Sequence, residues 1–132
     1  MRNKTVILTV GLPRAGKTSW ANMQRFAVIS VEAAKIVVAG PGRLSAEAAN
    51  RVHFFMMKML RVLLLAQDTV VVDWTFHTAE SRARWRSKHW QTYYKVFEAS
   101  LEQCLERSVV AEGLDIAEVI RDFHDEFEPL SK

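Results

Sequence analysis

Residues 5–19 read T-V-I-L-T-V-G-L-P-R-A-G-K-T-S, and the fold turns on this stretch. Val6–Val10 is a short apolar run rich in β-branched side chains, the composition of a buried strand. It leads straight into Gly11-Leu12-Pro13-Arg14-Ala15-Gly16-Lys17-Thr18, a complete G-x-x-x-x-G-K-[ST] phosphate-binding loop (P-loop). The chemistry explains the spacing. Glycines let successive backbone N–H groups turn inward around phosphate oxygens, and the helix that follows points its positive end at them. Lys17 then reaches the β- and γ-phosphates, and the Thr18 hydroxyl ligates Mg²⁺. We read the stretch as a nucleoside triphosphate site.

Outward from the loop, strands and helices alternate. A short helix from about Gly16 to Met23 precedes Phe26–Val31, a second buried strand. V-E-A-A-K-I-V-V-A is helix-capable and stops at Gly40-Pro41-Gly42. Ser45 is an N-cap for a long helix to about Gln67, with Val52, Phe55, Met56, Met59, Leu63 and Ala66 on one face and Arg51, Lys58 and Arg61 on the other. Its methionines read as core filling. Val70–Asp73 is a third strand, Thr78 caps a helix over Glu80–His89, and Tyr94–Ala99 is a fourth strand. Ser100-x-x-Gln103 and Asp115-x-x-Glu118 have the spacing of capping boxes for the last two helices, and Pro129 closes the second. This alternation predicts an α/β fold, a parallel sheet covered on both faces with ligands at the carboxyl ends of its strands. The P-loop and Asp73 both sit at such ends.

The 132 residues suffice for one domain, 1–132, with a single core. A formal charge of +3 is compatible with a nucleic-acid partner without establishing one. Cys104 is the lone cysteine, so no intrachain disulfide forms and a reducing cytoplasm fits. The N-terminal apolar run is too short for a signal peptide, and Lys58 and Arg61 interrupt Val52–Ala66, so that run is not a membrane span.

Several side chains near the strand ends have the chemistry to work beside a bound nucleotide. Asp73 ends a run of valines, as does the acid that works with Mg²⁺ beside a P-loop; the bland alternative is a strand-terminal cap. Glu32, just past the second strand, is placed to accept a proton from an attacking hydroxyl, or else is a first-turn acid favoured by the helix dipole. Lys35, one turn on, either touches the transferred phosphoryl or pairs with Glu32. Arg82, Arg84, Arg86, Lys88 and His89, interleaved with Trp85 and Trp90, suit a single-stranded nucleic acid or form a solvated helix face. His77 is the one histidine in a loop over the site, and no histidine has zinc-ligand spacing.

Taken together these residues resemble the kinase domain of phage-type polynucleotide 5′-hydroxyl kinases, within a wider group of small P-loop kinases of the zeta-toxin/polynucleotide kinase-like kind. The likeness spans nearly the whole chain. It rests on residues 11–18 with Ser19-Trp20-Ala21 after them, on Glu32 and Lys35 at the places of an aspartate and an arginine, and on Asp73-Trp74-Thr75-Phe76 at a D-x-T-N segment. Glu80, Arg82, Arg84 and Trp85, then Val119 to Pro129, continue in step.

The resemblance implies a P-loop NTPase fold, a four-stranded parallel sheet of order 2-3-1-4 with a small helical lid, acting in the cytoplasm of a bacterium or phage-infected cell. It implies that ATP, or another nucleoside triphosphate, donates its γ-phosphoryl group to a hydroxyl. Gly11, Pro13, Arg14, Ala15, Gly16, Lys17, Thr18, Ser19 and Arg107 would hold the nucleotide, and Thr18 with Asp73 would organise Mg²⁺. Glu32 would be the general base, with Lys17 and Lys35 on the phosphoryl group. Lys35, Thr75, His77, Arg82 and Arg86 would face the acceptor. A lid arginine of the family falls at Ala111, Arg14 stands in place of a loop glycine, and Phe76 in place of the asparagine. The acceptors in view are a nucleic-acid 5′-hydroxyl, a hydroxymethylated base in DNA, or a free nucleoside, nucleotide or other small metabolite. A nucleotide-binding regulatory module without transfer is the alternative from another class.

Overall fold

A computed structural model describes residues 3–40, 42, 44–110 and 117–130. Its elements in chain order are β1 (Thr5–Val10), α1 (Lys17–Met23), β2 (Ala27–Ser30), α2 (Val31–Ala39), α3 (Ala46–Ala66), β3 (Thr69–Asp73), α4 (Ala79–Ala83), β4 (Gln91–Val96), α5 (Leu101–Val110) and α6 (Ala117–Glu126). The four strands form one parallel sheet of order β2-β3-β1-β4, the order expected. Val6, Leu8, Val10, Val70, Val71 and Val72 are fully buried, because the two central strands are covered on both faces.

Local chemistry sets the helix starts. Ser30 accepts from Ala33 N (3.2 Å) to open α2, and Ser45 accepts from Ala48 N (3.1 Å) to open α3. Ser100 and Gln103 cap α5 reciprocally, at 3.1 and 3.0 Å, as their spacing predicted. Asp115, Pro41 and Ala111 lie outside the described residues. The buried stripe of α3 is Ala48, Val52, Met56, Leu60 and Leu64. Of the positions expected inside, Val52 and Met56 lie on this stripe, Phe55, Met59 and Leu63 are partly buried against it, and Ala66 at the end of the helix is exposed. Among the described residues no helix is long and apolar enough to cross a membrane.

β4 ends at Val96 rather than Ala99 and β2 is one residue shorter at each end than expected, and two further boundaries differ more tellingly. The helix expected over Glu80–His89 ends at Ala83, and β4 starts at Gln91 rather than Tyr94. Trp85 and Trp90 explain the first. Both are buried, yet residues five apart on a helix point about 140° apart and cannot share one core face. The chain turns instead, and Trp85 O accepts from both Trp90 Nε1 (2.8 Å) and Thr92 Oγ1 (3.1 Å). The second follows from pairing: β4 runs in register with all of β1, from Thr5–Gln91 to Val10–Val96. As an edge strand it needs only one buried face, so its pattern is weakly apolar.

A second apolar cluster joins the P-loop to the last two helices: Leu12 and Ala15 pack with Cys104 of α5 and Ile120 of α6, flanked by Phe97 and Phe123. Gly11 lies close against Phe97, where an added Cβ would stand 3.0 Å from both Phe97 Cβ and Phe97 O. Gly11→Ala is expected to cost about 1–3 kcal/mol of stability, the range for overpacking, read as a lowered urea midpoint.

Candidate functional site

Three strand ends and one loop build the site. Asp73, at the end of β3 beside Ser30 of β2, is 8% exposed. Thr18 Oγ1, one residue into α1, donates to Asp73 Oδ2 at 2.8 Å. On the other side stands Thr9 of β1, fully buried, whose single hydroxyl proton has Trp74 O at 2.8 Å and Asp73 Oδ1 at 3.1 Å, while Thr9 Oγ1 accepts from Trp74 N at 3.0 Å. Gly11 N donates to Thr75 O at 3.1 Å. The strand that carries the acid and the strand that carries the loop are therefore fastened at their carboxyl ends.

Lys17 is buried, and its Nζ donates to Leu12 O at 2.6 Å across the loop. Burial lowers its pKa from 10.5 to about 8, against the attraction of Asp73 and, less, of the Cys104 thiol. Burial in turn pushes the Cys104 thiol up, opposed by Arg107 and Lys17. Two residues of the loop have a left-handed backbone: Gly16 (φ 103°), where glycine is at ease, and Arg14 (φ 69°), where a side chain is uncommon.

The loop divides two hollows. One, of roughly 710 Å³, is lined by residues 14–19 together with Phe97 and Arg107. Arg107 also donates to Arg14 O (2.9 Å), which ties α5 to the loop. The other, of roughly 720 Å³, brings Pro13, Arg14, Lys17 and Thr18 to face Glu32, Asp73 and Thr75, with Trp74 and Ile36 as walls and Val119 and Phe123 of α6 above. Arg14, Lys17 and Thr18 line both. Glu32 and Asp73 thus meet the P-loop across one open cleft.

Four residues expected at the acceptor stand otherwise. Arg82 is no surface cation: it is 4% exposed, and its guanidinium donates to Phe76 O (2.8 Å) and Glu128 O (2.8 Å). Arg86 lies past the end of α4, is exposed, and bonds Tyr94 Oη (3.2 Å), away from the cleft. His77 is buried, edge-on to Phe123 at 4.6 Å with Nε2 3.2 Å from Glu126 Oε2. Lys35 pairs with Glu32 at 3.4 Å and lines a neighbouring hollow. Sequence reasoning missed Thr9, Trp74 and Phe123. Trp74 was legible from its place between Asp73 and Thr75, whereas a buried threonine inside a strand carries no signal of its own.

Arg82→Ala strips a buried carbonyl and a part-buried one of a charged donor and is expected to cost about 2–4 kcal/mol, while Arg86→Ala stays within about 0.5 kcal/mol; urea unfolding of both checks this. Lys17 holds its charge below about pH 8 and loses it above. Affinity for an anionic nucleotide, measured by calorimetry from pH 6.5 to 9.5, is expected to be flat up to about pH 8 and then to fall.

The chain belongs to a family described as an AAA domain, whose model matches residues 6–130. No curated protein matches its sequence. Solved structures share its fold. A chain of the Pnkp1/Rnl/Hen1 RNA repair complex superposes with a TM-score of 0.72 at 16% identity, over 97% of this chain and 47% of that one. The present chain therefore spans less than half the length of that relative. A gluconokinase from Sinorhizobium meliloti gives 0.69 at 16% identity, covering 98% and 78%, and a sugar kinase from Janibacter sp. gives 0.71 at 13%, covering 98% and 80%. The fold is that of a P-loop kinase-like domain.

Proposed function

We propose that this AAA-domain family member is an ATP-dependent kinase that phosphorylates a hydroxyl group on nucleic acid. One observation carries the phosphotransferase part: Glu32 and Asp73 line a single cleft with Lys17 and Thr18. In the proposed reaction the nucleotide's phosphates lie on the loop amides, with Lys17 on the β- and γ-phosphates. The acceptor oxygen attacks the γ-phosphorus and its proton passes to the Glu32 carboxylate. The bond from that phosphorus to the β,γ-bridging oxygen breaks, and ADP leaves. Thr18 and Asp73 offer a hydroxyl and a carboxylate oxygen 2.8 Å apart, hard donors that suit Mg²⁺. When bound, Mg²⁺ would neutralise charge building on the phosphates. Among the described residues no group of three or more His, Cys, Asp or Glu could hold a metal.

Nucleic acid as acceptor is supported by the basic balance of the chain and by its likeness to a chain of an RNA repair complex. A small polyhydroxy acceptor is the second reading, favoured by the two sugar kinases, of whose chains a larger share is covered.

Incubation with γ-labelled ATP and a panel of 5′-hydroxyl oligonucleotides, nucleosides and sugars separates these readings. Label is expected at the oligonucleotide 5′ end, and Glu32→Gln should lower kcat by about 10²–10⁴ with nucleotide affinity unchanged. Label on an internal base would move the acceptor to a hydroxymethylated base, and label on sugars alone would establish the second reading. Nucleotide binding without any product would leave a regulatory module.

A further inference from the structure

Beyond the catalytic cleft, further hollows follow one another along α3, each sharing side chains with the next. Trp74 walls both the cleft and a hollow of roughly 320 Å³ whose apolar lining includes Phe76, Met56 and Trp85. His53 and Arg84 line that hollow and also a second, of roughly 420 Å³, which Phe54, Lys58 and Arg61 complete. Arg61 in turn lines a third, with Lys4 and His89. Of the described residues lining these three, Glu80 is the one acid, against Lys4, Lys35, Lys58, Arg61 and Arg84. The phosphoryl-transfer chemistry uses none of Phe54, Lys58, Arg61 or Arg84.

We infer that this run of hollows is a binding track for a single strand of nucleic acid, leading away from the catalytic cleft along α3 through Trp74, His53, Arg84, Phe54, Lys58 and Arg61. The inference rests on the nucleic-acid reading above and deepens it.

Two independent features select this ligand. The first is charge: Lys58, Arg61 and Arg84 are exposed cations spaced along one helix and the turn beside it, an arrangement that follows a phosphodiester backbone. The second is aromatic surface. Phe54 is 63% exposed on the same face, with Lys58 Nζ over its ring at 4.9 Å from the centroid, an aromatic surface and a cation at one point. The hollow next to Trp74 has aromatic walls, and its volume is at the lower end for small-molecule sites, the scale of one planar ring system rather than a folded partner. His53 stands edge-on to Trp85 at 5.3 Å, and burial together with the nearby Arg84 lowers its pKa from the usual histidine value. An acidic protein would use the cations and leave the aromatic hollow unexplained.

The test separates binding from transfer. Anisotropy with a 5′-phosphorylated single-stranded oligonucleotide, which accepts no phosphoryl group, reads the track alone between 50 and 200 mM salt, with polyglutamate as a polyanion without bases. The Lys58→Ala/Arg61→Ala double variant, which changes exposed side chains only, is expected to lose roughly tenfold in affinity at low salt. Its slope of log K against log salt should be shallower by about 1.4. Phe54→Ala should weaken the oligonucleotide by about fivefold or more, with no effect on polyglutamate.

In transfer assays the double variant should raise KM for a long 5′-hydroxyl oligonucleotide by a similar factor. Its kcat, and its KM for a 5′-hydroxyl mononucleotide, should be unchanged. Variants that bind the oligonucleotide as the wild type does, with urea midpoints matched, overturn the track even where transfer proceeds. Equal affinity for polyglutamate overturns it as well. Track binding without transfer supports the track and instead defeats the kinase reading.

Discussion

The Asp73 carboxylate is the point on which the site depends. One of its oxygens takes the Thr18 hydroxyl from the start of α1, and the other lies within reach of Thr9 in β1. Thr9 in turn binds both the N–H of Trp74 and its carbonyl. A buried carboxylate is costly unless it is hydrogen-bonded; here Thr18 donates to one oxygen, and the Thr9 proton lies between the other and Trp74 O. The bonds that satisfy it also align the ends of β1 and β3 and the first turn of α1, so electrostatics and geometry are settled together. Lys17, buried next to Thr18, has part of its desolvation offset by the same carboxylate.

From Asp73 the order spreads into the segment that follows. Phe76 has a left-handed backbone (φ 46°), uncommon for a bulky residue, and holds it because the surroundings over-determine it. Its ring is buried edge-on to Trp74 (5.5 Å) and Trp85 (6.1 Å), and its carbonyl takes Arg82. An asparagine would accept such a backbone at less cost but would leave the aromatic contacts unmade. In this chain the segment over the cleft is held by packing as much as by polar contacts.

How much of this was legible follows from where each signal lives. Gly11, Gly16, Lys17 and Thr18 declare themselves because loop geometry and phosphate chemistry tolerate few other residues at that spacing. The valine runs and the Ser45 and Ser100 caps were legible for the same kind of reason, since each answers to a local rule. Arg82 was misread because a charge in a basic run looks solvated, and only the tertiary fold shows two carbonyls converging on it from Phe76 and Glu128. The turn at Trp85–Trp90 was hidden likewise, because helical propensity is local and the need to bury both indoles is not. Thr9 and Phe123 reach the site through strand pairing and helix packing, which no spacing encodes.

The two last helices are anchored on opposite sides of the loop, and this constrains how the cleft can open. α5 is fixed at the donor side through Arg107 to the Arg14 carbonyl and through Cys104 in the seam with Leu12 and Ala15. α6 and the residues after it are fixed at the acceptor side: His77 meets Glu126, Glu128 N donates to His77 O at 2.6 Å, and Arg82 holds Glu128 O. Moving α6 away from the cleft would uncover the carbonyls that Arg82 satisfies and the ring contact between His77 and Phe123. The donor-side hydrogen bond is exposed, but it stands beside Cys104, which is fully buried, and the acceptor-side bonds of His77 and Arg82 are part-buried. Because Cys104 of α5 and Ile120 of α6 share one buried cluster with Leu12 and Ala15, displacing either helix would open the apolar seam behind the loop, so the two helices and the loop hold together.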